Sequence, residues 1–131
     1  MTEDRSTERT SKGVASFEDL EVFKRAYRLS LRVHHMSLGF PGHEQWALGD
    51  QVRRASKSIC ANLAEGYAKQ AFSVAEFKRY LTMAVGSADE MRLWSRYCYD
   101  LGYIDSATWS TWSEGYREIA KMLHGLHRSW R

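Results

Sequence analysis

Apolar residues recur along this chain at helical spacing in four separate stretches. Val22, Ala26, Leu29, Val33 and Met36 alternate intervals of four and three, the signature of a seam packed against neighbours. Phe23, Tyr27 and Leu31 widen that face beyond half the circumference. Lys24, Arg25, Arg28, Arg32 and His35 crowd into the remaining sector. Leu48, Val52, Ala55, Ile59 and Leu63 line a narrower second seam. Phe77, Leu81, Ala84, Ala88, Met91, Ser95 and Cys98 form a third, with small residues that permit close approach. Trp109, Trp112, Tyr116, Ile119, Leu123, Leu126 and Trp130 complete a fourth in which every position is apolar.

Breaks and caps separate the seams. Ser16 with Asp19 has the form of a capping box and predicts a first helix from about Phe17. Gly39-Phe40-Pro41-Gly42 ends it, because proline disfavours helix in the residue before it. The second helix is predicted over roughly 44–68, with a possible irregularity at Gly49-Asp50. Ser73 and Glu76 cap the third, Leu101-Gly102-Tyr103-Ile104 interrupts the pattern, and Asp105 caps the fourth. Helices of about 20–25 residues, each about 30–38 Å long at 1.5 Å per residue, joined by short links, predict an all-α fold. Its architecture is an antiparallel up-down-up-down four-helix bundle over 16–131, preceded by a disordered tail over 1–15. No strand pattern or internal repeat competes with it.

Composition narrows the class without naming a function. The chain has 131 residues, 44% hydrophobic and 27% charged, with a single proline, enough for one soluble domain with its own core. No apolar run reaches membrane-spanning length, and the polar N-terminus lacks the apolar core of a signal peptide. A cytoplasmic setting follows, in which Cys60 and Cys98 are expected as free thiols. Net charge of +3 permits contact with nucleic acid but does not argue for it alone. Five Trp, seven Tyr and five Phe are a heavy aromatic load, suited to a core or to an interface. The wide apolar face of the first helix needs more cover than two neighbours supply, which predicts self-association.

One row of polar residues does not fit a simple amphipathic helix. Gln51, Arg54, Ser58, Asn62 and Glu65 form a stripe about 90° from the second seam. A mixed row of this kind satisfies its own donors and acceptors if buried. The structural expectation is a polar network between helices, with Glu65 and Glu90 meeting Arg53 or Arg54. The competing expectation is a pocket using Arg54, Glu65, Ser87 and Glu90.

Recognisable chemistry is otherwise missing from the pattern. No Glu is followed three residues later by His, as a di-iron bundle requires, and no phosphate-loop or dinucleotide motif is present. His124 and His127 share a face but lack the carboxylate or thiolate of a metal site, so neither metal nor cofactor is expected. Two basic regions remain as candidate phosphate contacts: Lys24, Arg28, Arg32 and His35 on the first helix, and Lys121, His124, His127, Arg128 and Arg131 at the C-terminus, where no acid follows Glu118.

The string Phe40-Pro41, Glu44, Leu48, Gln51-Val52-Arg53-Arg54-Ala55, Ser58-Ile59, Asn62-Leu63-Ala64-Glu65-Gly66 resembles the signature of the bacterial four-helix-bundle family also called 23S rRNA intervening-sequence proteins. Leu20, Phe23, Ala26, then Phe77, Leu81, Ala84-Val85-Gly86-Ser87, Glu90 and Leu101-Gly102-Tyr103 agree in order and spacing. Cys60, where many members have proline, Trp46 and Gly49 depart from it. The resemblance implies a homopentameric ring and no established enzymatic activity. It extends to the accessory variability determinants of diversity-generating retroelements, which bind nucleic acid through a positive surface and work with a reverse transcriptase. The expectation is therefore a non-enzymatic ring protein that binds RNA, DNA or a ribonucleoprotein partner. The alternatives are a small helical enzyme and a pure protein-binding scaffold.

Overall fold

The computed structural model describes residues 16–130; the proposed tail over 1–15 and Arg131 lie outside the described residues. Four helices carry the chain: α1 Glu21–Ser37, α2 Leu48–Lys69, α3 Val74–Asp100 and α4 Ser106–Ser129. Each packs on the next and α4 returns to α1, while across one diagonal Tyr67 of α2 meets the Trp130 ring at the end of α4, with ring centres 6.1 Å apart. The neighbours run antiparallel throughout. Ser37 and His34 of α1 meet Arg53 and Lys57 of α2, and Gly66 and Ser58 of α2 meet Tyr80 and Ser87 of α3. Tyr99 and Phe77 of α3 meet Trp109 and Trp130 at the two ends of α4. The all-helical, four-helix architecture is the one that the periodicity predicts.

Two helix starts differ from that prediction. Ser16 and Asp19 do form a reciprocal capping box, but it closes a 3-10 turn, Phe17–Asp19, and α1 begins only at Glu21. Residues Gly42–Glu44 form a second 3-10 turn, and α2 starts at Leu48 after Ala47 leaves helical geometry at φ −118°, ψ −104°. Gly49 explains the displaced start. A Cβ there would lie 2.9 Å from the Glu44 carbonyl oxygen and 3.2 Å from Arg53 Nη1, so the link folds back across a position that only glycine leaves open. The later caps stand where expected: the Ser73 side chain accepts from the Glu76 amide, and Asp105 from the Thr108 amide at 2.8 Å.

The core follows the four seams. Val52, Ile59, Leu63, Phe77, Leu81, Met91, Trp112, Tyr116, Ile119 and Leu123 are essentially inaccessible. Met36, predicted to share α1's seam, is exposed, and with Arg32 it lines a shallow recess between α1 and α4. Buried serines are satisfied locally: Ser95 donates to the Met91 carbonyl at 2.6 Å and Ser37 to that of His34 at 2.7 Å. Cys60 and Cys98 are both free. Burial pushes their thiols up to about 11 and about 12 respectively, so they behave as small apolar residues rather than nucleophiles.

Candidate nucleic-acid interface and the polar stripe

The α2 stripe divides in two. Ser58, Asn62 and Ser87 come together as predicted: Ser87 Oγ lies 3.0 Å from Ser58 Oγ, and Asn62 Nδ2 donates to the Ser58 carbonyl at 3.0 Å and to its hydroxyl at 3.2 Å. The charged members do not join them. Gln51, Arg54, Glu65 and Glu90 are exposed. Arg54 reaches only Asp50 on its own helix, at 3.7 Å, and Glu90 accepts from Trp94 Nε1 at 3.0 Å. The expected buried Arg–Glu pair across α2 and α3 is therefore corrected. The stripe runs along the rim of the helix pair, where small hydroxyls turn inward and full charges keep their water, as the desolvation penalty demands.

Arg53 is the arginine that goes inside. It donates to Ser37 Oγ at 2.8 Å, to Gln45 Oε1 at 3.3 Å and to the Gln45 carbonyl at 2.6 Å. Gln45 Nε2 donates in turn to the carbonyls of Ser37 at 3.0 Å and Phe40 at 2.9 Å. This network locks the α1–α2 link. Beside it, Tyr103 donates to Glu44 at 2.7 Å, a bond that holds the Glu44 carboxyl below its ordinary range and pushes the phenol up. Gln45 carries no signal in the sequence and Tyr103 figures there only in a break and in the family pattern, because the roles of both depend on where a nonperiodic link folds.

The first basic region runs the length of α1, and the second stands at the C-terminal end of α4, at the end of the bundle where α1 begins. On α1, Lys24, Arg28, Arg32 and His35 are all exposed, and no acid occurs between Glu21 and Glu44. Lys24 approaches Glu21 at 3.5 Å. Arg32 sits beside Thr108 and Thr111, in the first turns of α4, around a recess of about 170 Å³. The second region is at the far end of α4, where Lys121, His124 and Arg128 are exposed and His127 is half-buried. The structure adds Lys78 of α3 to it. Partial burial holds the His127 imidazole below its ordinary pKa, and the nearby charges of Lys78 and His124 push in the same direction. Lys78 stands next to core Phe77 in sequence, and only the α3–α4 pairing gives it these neighbours. Among the described residues, no ion pair involves Lys78, Lys121 or Arg128.

No group of three His, Cys, Asp or Glu suited to a metal occurs among the described residues. No helix there is long and apolar enough to cross a membrane. The class defined is a small all-helical bundle with a polar rim and basic surface. The chain belongs to the 23S rRNA-intervening sequence protein family, whose model matches residues 18–125. A solved protein of unknown function from the S23 ribosomal protein family of Bacteroides thetaiotaomicron shares the fold. It has a TM-score of 0.73 and 23% identity, covering 82% of this chain and 95% of that one. No curated protein matches this chain.

Proposed function

We propose that this protein is a non-enzymatic, self-associating accessory factor of the cytoplasm that binds nucleic acid, or a ribonucleoprotein, through its basic surface. The observation that carries the reading is the cluster of Lys78, Lys121, His124, His127 and Arg128, assembled from two helices without a paired carboxylate. Cations left without internal partners are available to phosphates, and each phosphate neutralised releases counterions. One copy offers few contacts. Repeated around a ring, five-fold on the family resemblance, the cluster becomes a continuous positive band. A retroelement reverse transcriptase or an RNA carrying an intervening sequence are the partners that the resemblance suggests.

The α1 ridge of Lys24, Arg28, Arg32 and His35 is the second candidate surface, favoured by its lack of acids beyond Glu21. Fluorescence anisotropy with a labelled single-stranded RNA and a duplex DNA tests both. Affinity should fall by up to about 10³-fold between about 50 and 200 mM salt if six or more phosphates are engaged. The Lys78→Gln/Arg128→Gln variant should weaken binding of all sequences alike and flatten the salt dependence. Binding that is undetectable at low salt would defeat the proposal. Unchanged affinity in that variant would move the contact to the α1 ridge.

A further inference from the structure

Two aromatic side chains stand almost wholly in water, Phe72 at 89% and Trp46 at 88% exposure. Phe72 closes the turn between α2 and α3, where its amide donates to the Lys69 carbonyl at 2.9 Å. The turn lies at the end of the bundle where α4 finishes, since Trp130 packs edge-on against Tyr67 at 6.1 Å and Phe77 at 5.0 Å. Those three rings have their partners. Tyr80 is covered by Lys69 Nζ at 5.8 Å and Arg79 Cζ at 4.9 Å from its ring centre. Among the described aromatic side chains of this end, only Phe72 presents open faces.

The charge around it is cationic. Lys69 precedes Phe72 by three residues, and Lys78 stands about 7–8 Å of helix axis beyond the Ser73 cap. Lys121 and Arg128 of α4 complete the cluster. The acids here are mostly engaged: Glu76 accepts from Arg79 at 3.1 and 3.3 Å, Asp19 from the Ser16 amide at 3.2 Å, and Glu21 approaches Lys24 at 3.5 Å. Glu18 is exposed beside them. Trp46 has no such setting. At its end of the bundle Arg54 and Arg96 are taken up by Asp50 and Asp100.

We propose that Phe72 is a stacking platform for an unpaired base, so that the ligand of this basic end is single-stranded nucleic acid, RNA or DNA. Its phosphates meet Lys78, Lys121 and Arg128 while one base lies on the Phe72 ring. The inference rests on the nucleic-acid reading above and names its substrate class. In a duplex each base is stacked on its neighbours and shows a protein only its edge in a groove. A single strand offers the face of the base, and cations that track its backbone beside an aromatic platform are what holds it. Every base has such a face, so the contact tolerates any sequence.

Fluorescence anisotropy on the full chain at low salt tests this. The probes are an oligouridylate and an oligothymidylate of about 12 nucleotides, an abasic strand with the same number of phosphates, and a duplex DNA. Phe72→Ala should weaken binding of both base-bearing strands by about 5–150-fold. It should leave the abasic strand, the duplex and the salt dependence as they are, because no phosphate contact is lost. Phe72→Tyr should bind like wild type and Phe72→Leu like Phe72→Ala, which separates stacking from a merely apolar contact. All three variants should melt with the wild type, since the ring is exposed. Unchanged affinity of Phe72→Ala for the base-bearing strands would overturn the platform and leave the electrostatic reading standing. So would an equal loss on the abasic strand, or full affinity in Phe72→Leu. A wild-type chain that binds none of the four probes would remove the nucleic-acid reading, and the platform with it.

Discussion

At the residue scale, Arg53 and Arg54 show how adjacent, identical side chains acquire opposite roles. Arg53 is held by three hydrogen bonds inside the α1–α2 link, whereas Arg54 is 76% exposed and paired only with Asp50. Removing Arg53 strips charge-assisted bonds from the acceptor oxygens of Ser37 and Gln45, which keep the bonds they donate, so Arg53→Ala should cost about 1.5–3 kcal/mol in urea unfolding. Arg54→Ala should change stability by less than about 0.5 kcal/mol, as for other surface pairs. Equal losses in the two variants would contradict this assignment. Both arginines stand in the same sequence string, and no local feature told them apart. A rotation of 100° per residue puts one toward the link and the other toward water.

At the element scale, α2 and α3 depend on a close approach at Gly66. A Cβ there would stand 2.6 Å from Tyr80 Cβ and 3.3 Å from Phe77 Cδ1, and a Cβ that near the root of another side chain forces the helices apart. Gly66→Ala should therefore lose about 1–3 kcal/mol as overpacking, despite its better helix propensity; a gain in thermal stability would refute the close approach. The α3–α4 pairing supplies a second prediction. His127, with its folded pKa below the ordinary 6.5, faces Lys78 from α3 and His124 from its own helix, with no carboxylate acting on it. The unfolded chain then takes up its proton first, so stability is fully present above about pH 6.5 and declines as pH falls through the folded value. Denaturant midpoints measured from pH 7.5 to 5 should show that decline, and His127→Gln should flatten it.

At the scale of the whole molecule, the asymmetry between α4 on one hand and α1 and α3 on the other matters most. α4 buries Trp112 and Tyr116, keeps Trp109 half-buried and turns Glu114, Arg117, Lys121, His124 and Arg128 to solvent or partial exposure, whereas α1 and α3 leave large apolar groups uncovered. The proposed assembly uses the second kind of surface and the proposed phosphate contacts use the first. Binding to nucleic acid should then strengthen as pH falls below about 6.5, because a phosphate beside His127 favours its charged form. Anisotropy titrations at pH 5.5 and 8 in equal ionic strength check this, and a pH-independent affinity would exclude His127 from the contact.

The sequence by itself determined the class of fold, the four seams, the caps at Ser73 and Asp105 and the family, because helical periodicity and capping are local properties. It also carried the Ser58–Asn62–Ser87 row. The exposure of the stripe's charged members, the late starts of α1 and α2, the half-buried place of Arg53 in the α1–α2 link and the membership of Lys78 in the α4 cluster were decided only by tertiary structure. Each depends on which helix stands beside which, and on how far a nonperiodic link folds back before the next helix begins. A spacing rule defines a face, but the neighbour decides whether that face meets protein or water.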